Sequence, residues 1–178
     1  RATAEENVRL LGPLVRDGYD IVGLEPTAVY ALAQSYLKLL PDSGDAKLVA
    51  SRTREFFTYL LELESDSAEQ TFSGRKFGFH CSCHQRPLGS GDAAIAWLRA
   101  RGADVQRIET GTCCGMGGTF GMKEGLLGFD LANAVGEPLF NRFKESGVDQ
   151  IVTESSVCRI HLEQGTGLTV SHPLELVD

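Results

Sequence analysis

Five cysteines, at positions 81, 83, 113, 114 and 158, are the residues of this chain best suited to chemistry. Cys113 and Cys114 adjoin, inside the run GTCCGMGGTFG at 111–121. Neighbouring cysteines seldom bond to each other, because the ring they would close is strained. Thiolates are soft ligands suited to zinc and to iron–sulfur clusters. The glycines at 111, 115, 117, 118 and 121 allow sharp turns and close passage of the backbone along a bulky group. N–H groups of such a loop also donate to cluster sulfurs and raise a reduction potential. A second use of the thiols is disulfide exchange by the C-x-C pair Cys81 and Cys83, with the neighbouring histidines lowering a thiol pKa. The absence of a C-x-x-C at a helix start makes that the weaker reading.

The elements that must position these thiols alternate between helix and strand. Helices are expected at 6–18, 27–41 (Thr27 as N-cap, Pro41 as stop), 48–64, 91–101, 132–146 and 156–164. Strands are expected at 19–25, 75–80, 104–109 and 148–153, with a polar loop at 65–74. The fold class is therefore α/β, a mostly parallel sheet flanked by helices. Every cysteine falls just past the C-terminal end of an expected strand, the edge along which open α/β sheets build their sites. A degenerate internal duplication is also visible. DGYDIVGLEPTAV (17–29) resembles SGVDQIVTESSVC (146–158), with Val29 or its neighbour Ala28 where the second copy has Cys158. Residues 1–74 then form the remnant of a first repeat with connecting helices, and 75–178 a complete second one. The two are expected to make one compact domain cut from a larger protein, as Arg1 at the start also indicates.

Composition sets the outer bounds. The 178 residues are 42% hydrophobic and 23% charged, the profile of a globular domain of ordinary size. The formal net charge of -7 argues against nucleic acid or an anionic membrane surface as main partner. No apolar run approaches the ~18 residues of a membrane span, so the chain is expected in the cytoplasm, or peripheral at the inner face of the membrane. An odd number of cysteines, all between positions 81 and 158, does not fit a disulfide scaffold.

The segments FHCSCHQRPLG, TCCGMGGTFGMKEG and TESSVCRIHLEQGTGLTVSHPLELV resemble the cysteine-rich CCG domain over roughly 75–178, with a weaker half-repeat at 6–41. That domain occurs in heterodisulfide reductase B subunits, in the C subunit of anaerobic glycerol-3-phosphate dehydrogenase, and in FAD-linked 2-hydroxyacid oxidoreductases such as glycolate oxidase. CHQ together with VCR is closest to the large fused FAD-linked oxidases. The resemblance implies an iron–sulfur cluster, of 4Fe-4S type, or zinc in its place. It implies electron transfer from the flavin of a FAD-binding domain or subunit toward a quinone or another acceptor, with FAD outside this domain and no catalysis by this part alone. Residue by residue, it implies Cys83, Cys113, Cys114 and Cys158 as ligands. Many members carry Cys-x-x-Cys at the last motif, where this chain has Ser155. Cys81 is an additional thiol that no motif accounts for. The alternative function is a zinc-binding structural or interaction module, since four thiolates suffice for zinc.

His80 and His84 flank the first thiols and suit zinc ligation, a hydrogen bond to a cluster, or a plain structural role. His172, before Pro173, reads as a packing residue. Glu25 and Glu154 end the two matched strands, at the site edge or as caps of the next helix. Phe56, Phe57 and Tyr59 read as a helix face meeting the core, or as a contact for a flavoprotein. GMGG lacks the spacing of a dinucleotide loop.

Overall fold

Residues 1–63, 70–111 and 113–177 are described by the structure, a computed structural model. The chain folds as two units, Arg1–Glu64 and Ser65–Asp178.

The first unit opens with helix α1 (Ala2–Arg16), whose Ala4, Val8 and Val15 are buried. Gly18, at φ 97°, turns the chain into strand β1 (Ile21–Gly23). Helix α2 (Pro26–Tyr30) starts one residue before the expected Thr27 cap. Glu25 is the N-cap, accepting from the Thr27 N–H, and Pro26 sits at the first helical position, where its missing N–H costs nothing. A π-helical turn, Ala31–Ser35, leads into α3 (Tyr36–Leu39). Helix α4 (Gly44–Ser51) is capped by the Ser43 hydroxyl, 3.1 Å from the Ala46 nitrogen.

The single helix expected over 48–64 does not form. Strand β2 (Thr53–Glu55) separates α4 from α5 (Phe56–Glu62), and position 64 lies outside the described residues. The Thr53 hydroxyl donates to the Val49 carbonyl and closes α4, while Ile21 N–H bonds the Arg52 carbonyl at 2.9 Å. From there Ile21, Val22 and Gly23 pair in parallel with Thr53, Arg54 and Glu55. A long-range ladder thus overrides the local helical pattern. Phe57 is buried, and Phe56 meets it edge-on at 5.2 Å.

The second unit is a four-stranded parallel sheet in the order β4-β3-β5-β6. Its strands are β3 (Lys76–Phe79), β4 (Asp104–Arg107), β5 (Gln150–Val152) and β6 (Val170–Ser171). Three of them lie within the expected strands, and β6 is additional. Of the polar loop expected at 65–74, residues 65–69 lie outside the described residues and 70–74 form turns. Helix α6 (Gly91–Ala100) connects β3 to β4, α7 (Leu131–Glu145) leads to β5, and α8 (Ser156–Thr166) joins β5 to β6. Phe77, Gly78 and Phe79 are all buried, as befits a central parallel strand covered on both faces. Leu139, Phe140, Phe143, Ile151 and Leu162 form the core that α7 and α8 share with the sheet.

The duplication seen in the sequence has a structural counterpart. Under the alignment of 17–29 with 146–158, β1 falls on β5 residue for residue, Gly18 and Gly147 both have positive φ, and a helix follows each strand. Val29 and Cys158 occupy matched, buried helical positions.

Candidate metal centre

Three loops leave the C-terminal edge of this sheet and carry the thiols. After β3 the chain continues in register for one more residue. His80 N–H bonds the Val152 carbonyl at 2.9 Å, and its own carbonyl accepts from the Thr153 hydroxyl at 3.0 Å. Ser82 then starts a tight turn, its hydroxyl taking the Gln85 N–H, which places Cys83 outward. The buried Gln85 amide donates to the buried Glu154 carboxylate and fastens this loop to the exit of β5. Glu25 and Glu154, matched in sequence, therefore differ in role: the first caps a helix and the second anchors a site loop.

The cysteine-pair loop rests on helix α7 backbone against backbone. Gly115 has φ 98°, and a Cβ there would stand on the Ala132 carbonyl and 2.9 Å from the Gly136 nitrogen. A Cβ at Gly136 would in turn strike the Cys114 carbonyl. Only glycine satisfies both the left-handed turn and the close approach. The turn aims backbone donors at sulfur: Gly115 N–H toward Cys113 and Met116 N–H toward Cys114. Cys158 stands in the first turn of α8, whose N-cap is Ser155.

Four sulfurs meet as a chain, Cys83 to Cys113 to Cys114 to Cys158. Cys114 Sγ and Cys158 Sγ are 3.2 Å apart, and all five cysteines are free thiols. Cys83 is exposed, Cys113 half-buried, and Cys114 and Cys158 buried. The hydrogen bond from Cys114, then that from Cys83, holds the Cys113 pKa far below the thiol range. Cys114 is pushed far up because it donates to Cys113 and Cys158 and is buried. Cys83 is pushed up by donating to Cys113 and by the negative charge on that neighbour. Cys158 is brought down to about 5, first by the Cys114 bond and then, against burial, by the His80 ring and the Ser155 hydroxyl. These directions favour protonated thiols at Cys83 and Cys114 and thiolates at Cys113 and Cys158, alternating along the chain.

The donor set fits a metal or cluster. One nitrogen of His80 and the sulfurs of Cys114 and Cys158 all lie within 4.8 Å of one another. Ligands held about 2.0–2.3 Å from one ion lie roughly 3.3–3.8 Å apart, so small shifts would seat one. His80 is 1% exposed, and both of its ring nitrogens are without a hydrogen-bond partner of good geometry.

Cys81 is not brought to this group. Its side chain is buried against Gly91, where a Cβ would come 2.6 Å from its sulfur. His84 is half-buried and outside the trio. His172 caps a 3-10 turn, Pro173–Leu176: its Nδ1 accepts from Leu174 N–H while Glu175 accepts from His172 N–H. His161, one turn beyond Cys158 on α8, stands beside the group without a motif to mark it. It is buried, 3.2 Å from the Asn133 amide oxygen and edge-on to Phe140, and burial lowers its pKa. The i, i+3 spacing of Cys158 and His161 was the available signal, since it puts both on one helix face.

Residues 77–163 match the cysteine-rich domain family called CCG. Over 163 residues, 90% of the chain, the sequence is 31% identical to the C subunit of the anaerobic glycerol-3-phosphate dehydrogenase of Escherichia coli. It is 28% identical over 146 residues, 76% of the chain, to the lactate utilization protein A of Lysinibacillus sphaericus. A lactate utilization protein A from Geobacillus kaustophilus is 25% identical over 144 residues, also 76% of the chain. The chain spans 40%, 61% and 58% of these relatives' lengths, respectively.

Proposed function

Residues 77–163 belong to the CCG cysteine-rich family, and from that premise we propose that the chain is an electron-transfer part of a flavin-dependent oxidoreductase. In this reading Cys83, Cys113, Cys114 and Cys158 hold an iron–sulfur cluster of 4Fe-4S type. The observation that carries it is the meeting of four sulfurs from two loops and the first turn of α8, with Cys114 and Cys158 in contact at 3.2 Å. Bound there, the group would take up and release single electrons.

The chain's own residues supply the surroundings. Gly115 and Met116 N–H groups and the Ser155 hydroxyl donate to sulfur, stabilising negative charge. Burial of Cys114 and Cys158 excludes water from one side of the group, while the exposed Cys83 leaves the other side open to a partner. The partner would be a FAD-binding domain or subunit, and the final acceptor a quinone or similar carrier. The substrate oxidised at the flavin would be glycerol 3-phosphate or a 2-hydroxyacid such as lactate, as the relatives' names indicate. Among the described residues no helix is long and apolar enough to cross a membrane.

The test is anaerobic purification with iron, sulfide and zinc measured per chain, alongside the visible spectrum. Iron with sulfide and absorbance near ~400 nm, lost in Cys114→Ser, is the expected result. Stoichiometric zinc in a colourless protein would replace electron transfer with a structural role.

A further inference from the structure

We propose that His80 is a direct ligand of this centre, coordinating through an imidazole nitrogen beside the Cys114 and Cys158 sulfurs. The inference rests on reading the thiol group as a metal centre.

His80 is placed by the sheet and not by a loop. Its N–H and C=O both bond the β5 side, to Val152 and Thr153, so its Cα is as fixed as the strands themselves. The ring is 1% exposed and meets the edge of Phe143 at 6.5 Å. Both ring nitrogens lack a hydrogen-bond partner of good geometry. A buried imidazole left in that state carries a desolvation penalty that a hydrogen bond or a metal bond removes. What stands within reach is sulfur: a ring nitrogen, Cys114 Sγ and Cys158 Sγ lie within 4.8 Å of one another. Imidazole is a good ligand for both zinc and iron. The last motif also lacks a thiol at Ser155. A nitrogen arriving from β3 would complete the buried side of the ligand set that α8 leaves one thiol short.

The test is the metal K-edge absorption spectrum of the protein loaded without oxygen, using iron with sulfide and, separately, zinc. The wild type, His80→Cys and His84→Ala are compared at measured metal content. The expected wild-type spectrum shows a nitrogen neighbour with imidazole outer-shell scattering beside the sulfur shell. In His80→Cys the nitrogen signal should vanish while the metal content is retained. For an iron–sulfur centre the midpoint potential should also fall, because an anionic thiolate replaces a neutral ligand. His84→Ala should match the wild type. A wild-type spectrum with sulfur neighbours alone overturns the proposal, as does a nitrogen signal that survives in His80→Cys; the metal reading then stands. The wild-type spectrum decides this even if the variant does not fold. Failure of the wild type to take up any metal overturns both readings together.

Discussion

In the metal-free protein the less exposed of the two outer cysteines should be the more reactive. Cys113 is half-buried and Cys83 exposed, so accessibility alone ranks Cys83 first. Ionisation ranks them the other way, since Cys113 is held far below the thiol range and Cys83 is pushed up. An ordinary thiol of pKa about 8.5 is roughly 3% thiolate at pH 7 and roughly 0.03% at pH 5. Cys113 stays ionised across that interval, so its advantage in thiolate over Cys83 exceeds about 30-fold at pH 7 and about 3,000-fold at pH 5. A low-pKa thiolate is intrinsically less nucleophilic, which trims the ratio of rates but leaves the pH profile untouched. The assay is iodoacetamide labelling of chelator-treated protein under argon, with each cysteine followed by peptide mass spectrometry from pH 5 to 8. The rate at Cys113 should be flat, while the rate at Cys83 rises tenfold per pH unit. A Cys113 rate that also climbs tenfold per unit would refute the alternation of thiol and thiolate and the hydrogen-bond chain behind it.

Three further outcomes are expected. Gly115→Ala forces a side chain into a left-handed turn, costing about 1–2 kcal/mol, and displaces the Ala132 carbonyl besides. Urea unfolding of the metal-free protein should show a total loss above ~2 kcal/mol, and an unchanged midpoint would refute the backbone contact. Cys81→Ser should leave metal per chain unchanged where Cys114→Ser abolishes it, because Cys81 faces Gly91 and not the sulfur group; equal losses in elemental analysis would place Cys81 in the site. Gln85→Met removes the amide that donates to the buried Glu154, at a cost of about 1–3 kcal/mol in chemical denaturation. An indifferent variant would show that the two loops are not fastened there.

Much of the site was legible because backbone needs are written in residue types. Glycines beside Cys113 and Cys114 announced a turn that passes close to something, and β3, β4 and β5 fell where apolar runs end in polar or small residues. The matched segments 17–29 and 146–158 were legible because both obey one strand-turn-helix grammar. Strand β2 was not, since Thr53, Arg54 and Glu55 sit in a stretch that reads as helix until β1 pairs with it. Strand β6 is two residues long and takes its identity from β5. The separation of Cys81 from Cys83 was hidden too, because it depends on how the Ser82 turn rotates the chain. His80 could be seen as a candidate, but the lack of a well-aligned hydrogen-bond partner for its ring, and its nearness to Cys114 and Cys158, emerge only once the fold surrounds it.

The contact of Gly115 and Gly136 has a mechanical meaning. Most packed elements meet through side chains, whose rotamers absorb small displacements. Here two main chains touch with no cushion between them, so a shift or tilt of α7 passes undamped to Cys113 and Cys114. The helix is a lever on the sulfur pair. The outward side of its first turns carries the exposed Leu131 and Val135, which means that pressure applied at the protein surface is felt at the sulfurs without any loop having to rearrange.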